Sequence, residues 1–424
     1  MKKSMILAAA AALVLCACAK VETVKNEAPE AVGFSVYTGK ATKAVSGTDF
    51  GTITNSELQA STKGFGVFAY YTDAADYTSS TKANFMYNQQ VKYSAGAWTY
   101  SPVKYWPNEH GASATSTDTD KLTFLAYAPF VANKAIATDK GVSITDKDGS
   151  AAADEGIIAM TANNVAGDAT LTFKVPASAE EQIDLLYGVL GATYVDVEGN
   201  TIGTAGEPMK NLTKQKTDGN VSILFKHALA KFVIDIKDVV DAEDPDTNED
   251  PASDNTKVVV KSVKLKGANI GTQGDLNLYT GGWNLTTSSA EYSVPLPSNI
   301  SVADAPTTYP TIAGVIETGL ANKINLMLIP ATATTTTVTS VEIIYYVCTQ
   351  DSQLDGQVSV VENKISKTFD IDPSTDGNQP LEIVMGKQYN LNLLLGLTSI
   401  ELDASVEPWT VDSTNNVDLP KNVD

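Results

Sequence analysis

Arginine does not occur in this chain of 424 residues: all thirty basic side chains are lysines, set against fifty acidic ones, for a formal net charge of −20. A surface that acidic and without guanidinium groups argues against nucleic-acid binding, which depends on basic side chains neutralising phosphates. It suits a soluble protein working outside the cell. Histidine is nearly absent too. His110 and His227 are the two that occur, neither with a second histidine or cysteine at ligand spacing, so a catalytic zinc or a Ser-His-Asp centre is not supported. Of three cysteines, Cys16 and Cys18 close the N-terminal apolar run and Cys348 stands alone in another, which leaves no intramolecular disulfide and reads Cys348 as a buried small hydrophobe. Aromatics make up 8% of the chain. With abundant Thr, Ser, Gly and Asn, that composition predicts an all-β protein.

What is present begins with MKKSMILAAAAALVLCACAK. Lys2 and Lys3 form a charged head, residues 4–15 are an almost unbroken apolar run, and Leu15-Cys16-Ala17-Cys18 has the spacing of a lipobox. A large aliphatic residue stands three before the cut, a small one next to it, and the Cys18 thiol just after, ready to receive lipid. Cys16 does not fit, because Leu15 would take the place of the small residue. The apolar run is shorter than the ~20 residues a membrane span needs. Residues 1–17 are therefore expected to be a lipoprotein signal peptide, and 18–31, polar and carrying Pro29, a tether. Loss of Lys2 and Lys3 takes the net charge to −22.

Alternation starts with Val32, Phe34 and Val36 on one face and Gly33, Ser35 and Tyr37 on the other, a short strand. The following loop exposes Lys40 and Lys43 to proteases. Further strands are expected at 65–71, at 84–92 with 98–107 as a hairpin ending in Tyr105-Trp106-Pro107, at 121–129, 171–175 and 183–187. Residues 131–170 read as long surface loops. Asp146 to Ser150 superficially suggests calcium, but Ile157 stands where the bidentate Glu belongs. The lysine- and proline-bearing stretch 203–219 marks the expected boundary, giving an N-terminal domain at 32–212 and a C-terminal one at 213–424.

The second half opens with an ambiguous pattern at 221–237. Phe225, Leu229, Phe232 and Ile236 fit a helix, yet Val221, Ile223 and Phe225, then Phe232, Ile234 and Ile236, fit a strand bent by a bulge near Ala230 and Lys231; the bent strand is the expectation, with His227 a hydrogen-bonded packing residue. Residues 238–255 form an acidic solvated loop without the spacing of a calcium site. Strands follow at 258–265, 277–279, 291–294, 324–329, 338–348, 358–369, 381–384, 389–395 and 400–406, a spacing that indicates a β-sandwich. In the tail, Trp409, Val411, Val417, Leu419 and Val423 all take odd positions, one interrupted apolar face of an extended strand or else a disordered terminus. Asp412-Ser413-Thr414 matches a short O-glycan acceptor pattern.

The order of these features resembles the fimbrillin family, subunits and accessory proteins of type V pili. The residues carrying the resemblance are the lipobox at Cys18; Phe34 ahead of Ala41-Thr42-Lys43-Ala44; Phe65-Gly66-Val67-Phe68-Ala69-Tyr70; Tyr105-Trp106-Pro107; Leu122 to Pro129; Asp184-Leu185-Leu186-Tyr187; Phe225-Lys226-His227-Ala228-Leu229-Ala230-Lys231; and Tyr389-Asn390-Leu391-Asn392-Leu393 before Trp409. The resemblance implies two transthyretin-like β-sandwich domains in tandem, export as a lipoprotein to the outer membrane and cell surface, and no enzymatic activity or cofactor. It also implies assembly with other pilin subunits by strand exchange: a protease cuts in the loop after the first strand, that strand leaves with its lipid, and a strand from the next subunit fills the groove. Here the processing positions are Lys43 or Lys40, where the family usually has arginine; the removed strand carries Val32, Phe34 and Val36; the donor is the tail 409–424, with Trp409, Val411, Val417, Leu419 and Val423. Without cleavage the chain would be an anchor or tip subunit. A different class of function, a surface glycan-binding lipoprotein, would use Trp98, Tyr100, Tyr105 and Trp106 as a stacking platform for sugars. A glycosidase lacks any pair of acids set at the needed separation.

Overall fold

The computed structural model describes residues 29–38, 53–60, 63–107, 120–138, 141–144, 155–178, 181–196, 198–238, 256–296, 300, 302, 304–308, 315–316, 323–350, 358–368, 380–395 and 400–409. Among these residues strands dominate, and the helices are two short ones, α1 (Asn55–Ala60) and α2 (Lys214–Thr217). The chain is all-β, as its composition predicts.

The first half contributes β1 (Gly33–Thr38), β2 (Phe65–Asp73), β3 (Met86–Ser94), β4 (Ala97–Thr99) and β5 (Lys121–Ala128). There follow β6 (Asn133–Thr138), β7 (Gly141–Ile144), β8 (Gly156–Met160), β9 (Thr170–Lys174), β10 (Leu186–Leu190), β11 (Tyr194–Val195), β12 (Thr201–Gly203), β13 (Met209–Leu212) and β14 (Asn220–His227). One sheet runs in the order β1-β14-β10-β5-β2-β3-β4, with β13 beside β5. It is strongly rolled. In a flat sheet β1 and β2, four strand spacings apart, would stand about 19 Å from one another. Instead the rings of Phe34 in β1 and Phe65 in β2 meet edge-on at 6.0 Å between centroids. The roll encloses a core of Val32, Phe34, Phe65, Phe124, Ile223, Phe225 and their neighbours. The opposite face of the sheet is covered as well: Phe68, Tyr70, Tyr127 and Tyr187 pack with Leu171, Phe173, Leu276 and Trp283 in a second cluster. Burial on both faces explains why β5 is buried at every position and β2 at its first six.

The second half adds β15 (Ala230–Asp238), β16 (Thr256–Asn277), β17 (Trp283–Ser293), β18 (Val315–Ile316), β19 (Lys323–Leu328), β20 (Thr337–Gln350), β21 (Val358–Thr368), β22 (Leu381–Glu382), β23 (Lys387–Leu395) and β24 (Ile400–Pro408). A four-stranded sheet, β19-β15-β23-β24, faces a larger one in which β21-β20-β16 continue into β9-β8-β7-β6. Phe232 and Ile234 on β15, Leu326 on β19 and Leu391 on β23 meet Val260, Val263, Ile343 and Tyr345 from the larger sheet in a shared core.

Three expectations change. The supposed loops at 131–170 contain β6, β7 and β8, whose hydrogen-bonding partners lead through β9 to β16 of the other half. Their strand state comes from that long-range pairing, since their own sequences carry little alternation. The ambiguous stretch at 221–237 is not one bent strand. β14 and β15 belong to different sheets, and the chain crosses between them at Ala228 and Leu229, both fully buried. Sheet membership thus changes here, past the expected boundary at 212/213. Finally, 258–265 and 277–279 are not separate strands, since a single 22-residue strand runs through 256–277. Gly267 lets that strand pass β20, because a Cβ there would strike the Thr337 carbonyl, and Asn269 takes a positive φ of 54° within the irregular pairing.

Candidate functional site

β1 is an edge strand, parallel to β14, with Gly33 opposite Asn220 and Thr38 opposite Phe225. Its alternation does what the sequence predicts. Val32, Phe34 and Val36 point into the rolled core, 1%, 6% and 6% exposed. Phe34 sits in a ring of aromatics, 5.7 Å from Tyr100, 5.9 Å from Phe124 and 6.0 Å from Phe65 between centroids, each contact edge-on. On the outer side Asn220 Nδ2 donates to Ser35 Oγ at 2.5 Å.

The strand's entry is a slot with two walls. On one side Val32 N donates to Lys104 O and Trp106 N to Glu30 O, both at 2.9 Å. On the other, Gly33 N donates to Gly219 O at 3.0 Å. Trp106 Nε1 donates to the same Gly219 carbonyl at 2.9 Å, and Lys214 Nζ lies 3.1 Å from Glu30 Oε2. The Tyr100 hydroxyl lies 2.9 Å from Val32 O and 3.1 Å from Lys104 O, and burial pushes its pKa up. Gly219 has φ +73°, and a Cβ on it would run into the Glu30 carboxylate, so the turn before β14 needs glycine. Glu30 and Ala31, expected to be tether, are therefore already paired with residues 104–106.

Burying three such side chains contributes roughly 5–9 kcal/mol, at ~1.5–3 each. Since β1 is the first described strand and lies at the end of its sheet, taking it away breaks no pairing between other strands. It would leave a groove lined by Phe65, Tyr100, Trp106, Phe124, Ile223 and Phe225.

The sugar-stacking platform does not form. Trp106 is buried and Tyr100 serves the slot. Trp98 leans edge-on against Phe65 at 5.1 Å, and Tyr105 is the exposed member of the four. Backbone pairing at the first strand's entry draws Tyr100 and Trp106 inward.

A second constellation lies where the chain crosses between sheets. His227 Nδ1 is 2.7 Å from Asp184 Oδ2, a buried pair, and Ile53 N donates to the same oxygen at 3.3 Å. His227 is the packing histidine expected. Its ring stacks on Trp409, 4.0 Å between centroids and 7° from parallel. Trp409 N donates to Gly386 O at 2.9 Å, and Trp283 Nε1 to Ala228 O at 2.6 Å. The motifs around Asp184, His227 and Trp409, far apart in sequence, thus meet at one point of the fold. Trp409 is 5% exposed and packed within its own chain, so it roots the tail. Sequence reasoning missed Asp184 as the partner of His227, and missed Gly219, although Asp218-Gly219 is a turn signal.

Cys18, Lys40, Lys43, Val411, Val417, Leu419 and Val423 lie outside the described residues, as do His110 and residues 146–150. Among the described residues no three His, Cys, Asp or Glu side chains are grouped to hold a metal ion, and no helix is long and apolar enough to cross a membrane.

Comparison with known proteins places this architecture. Fimbrium subunit Fim1C of Phocaeicola vulgatus is 22% identical over 446 residues, spanning 99% of this chain and 100% of that one. The crystal structure of a fimbrial protein from Bacteroides vulgatus, 21% identical, aligns over 90% of this chain and 100% of its own with a TM-score of 0.55, which establishes a common fold. The family described as fimbrillin-like matches residues 42–409, nearly the whole of the described strands. The chain belongs to the fimbrillin-like family.

Proposed function

We propose that this chain is a structural pilus subunit, exported as a lipoprotein through Cys18 and joined to other pilin subunits at the cell surface by exchange of its first strand. The observation that carries the reading is the seat of β1: first among the described strands, last in its sheet, and filling an apolar groove with three alternate side chains. An open sheet edge above such a groove is a template for strand addition. Cleavage after Lys43 or Lys40 would cut the covalent link between β1 and the rest, leaving hydrogen bonds and apolar contacts that a competing strand can replace. The tail is the proposed donor to a neighbour, rooted at Trp409 and presenting Val411, Val417, Leu419 and Val423. We assign the rolled first sheet and the two-sheet second half to the two tandem sandwich domains that the family resemblance implies.

A processing loop with lysines alone allows a second outcome. An arginine-specific protease would leave β1 and its lipid in place, and the chain would then end a pilus as an anchor or tip subunit. In the producing cell, substituting Lys40 and Lys43 together is expected to leave an acylated chain outside any SDS-resistant ladder. Deleting residues 410–424 should remove the ladder in which this chain donates. A ladder unchanged by the deletion would overturn the donor assignment, and one unchanged by the lysine substitutions would place processing elsewhere.

A further inference from the structure

We infer that the groove under β1 accepts a strand with an aromatic residue at its centre, supplied by a different polypeptide, and discriminates against residues 410–424 of a second copy of this chain. The inference rests on the strand-exchange reading and specifies its partner. The groove is measured by what fills it: three consecutive alternate apolar side chains, with a phenylalanine in the middle one's place enclosed by Phe65, Tyr100 and Phe124.

Residues 410–424, TVDSTNNVDLPKNVD, hold no aromatic at all. Nor does any register bring three alternate apolar residues together. A window centred on Val417 buries Asn415, one centred on Leu419 buries Lys421, and the windows reaching back to Val411 bury Ser413. The same holds for either strand direction, because each window contains the same residues read both ways. A polar group pressed into a groove with no partner carries its desolvation cost, and a valine or leucine in a space shaped for a phenyl ring leaves a void. Trp409, the aromatic adjoining the tail, is stacked on His227 in its own chain. The tail of this chain suits a groove with smaller places, and the groove of this chain suits another subunit's tail, which is the arrangement that orders unlike subunits in a polymer.

The test uses the full chain lacking its signal, with a site for a sequence-specific protease placed at residues 44–50 and cut after folding, so that β1 is held without a covalent link. Displacement of β1 is followed with labelled peptides: residues 29–38, the same peptide with Phe34→Val, residues 410–424, and residues 410–424 with Leu419→Phe and Lys421→Val. Residues 29–38 should exchange in and bind at least about tenfold more tightly than the Phe34→Val peptide, the lower end of what small differences in an apolar site achieve. The natural 410–424 peptide should bind more weakly still, and its doubly substituted form should recover. Equal binding of 410–424 and 29–38 would overturn the inference while leaving strand exchange intact. If residues 29–38 cannot exchange into their own seat, the strand-exchange reading fails and the inference with it.

Discussion

Glu342 illustrates how single residues are held on the outer face of the second half. Its carboxylate is buried on β20, with Lys266 Nζ at 2.7 Å, Lys364 Nζ at 3.4 Å and Ser366 Oγ at 3.4 Å. The hydrogen bond from Lys266 and its charge hold the Glu342 pKa below the usual value of 4.5. A carboxylate whose folded pKa is depressed stabilises the fold at pH values above the unfolded pKa, and that stability is lost as pH falls through the lower, folded one. Glu342→Gln is therefore expected to lower the urea midpoint at pH 7, with a narrower gap from the parent chain at a pH below 4.5. An equal gap at both pH values would refute the assignment. Cys348 is the contrasting case: an apolar environment with Val259 and Tyr346 pushes its thiol up to about 11, as befits the buried hydrophobe that its sequence context suggests.

At the scale of elements, β1 is where sequence and structure agree most closely. Strict alternation of Val32, Phe34 and Val36 against Gly33, Ser35 and Tyr37 is a local signal, and one face of the strand is buried, so the pattern survives in the fold. Phe34→Ala is expected to cost about 3–5 kcal/mol in urea unfolding of the rolled sheet, the range for a buried phenyl ring. A loss under ~1 kcal/mol would mean that the core does not depend on β1. The crossing at Ala228 and Leu229 is illegible for the opposite reason. Both flanking strands bury residues, so Phe225, Leu229, Phe232 and Ile236 fall at helical spacing although they belong to two sheets. The slot at the entry of β1 is equally hidden. Lys104, Trp106 and Gly219 meet Val32, Glu30 and Gly33 respectively across long stretches of chain, and no local pattern announces these hydrogen bonds. The strand at 256–277 reads as two because Gly267 and Gly271 look like turn residues, whereas in the fold they make room for neighbouring backbone.

At the scale of the whole molecule, the pairing of β9 with β16 makes the two halves share a sheet, and the second cluster fills the space between them. Phe68, Tyr70, Leu125, Tyr127 and Tyr187 come from the first sheet, while Leu276, Trp283, Met327, Ile329 and Trp409 come from the second half, all within that one cluster. A hydrophobic surface between domains opposes their independent motion, and this one is built of buried apolar side chains. Separating the halves would expose large apolar side chains on each and leave β6 to β9 without the strand that anchors them. The chain is accordingly expected to melt in one calorimetric transition, with equal calorimetric and van't Hoff enthalpies. Trp409→Ala should lower that single transition as a whole, because the indole packs on His227 and reaches both halves, and removal of a buried tryptophan costs about 3–5 kcal/mol. Two resolved transitions, with the substitution moving one of them alone, would show that the halves fold independently and that the crossing at Ala228 and Leu229 is a hinge and not a seam.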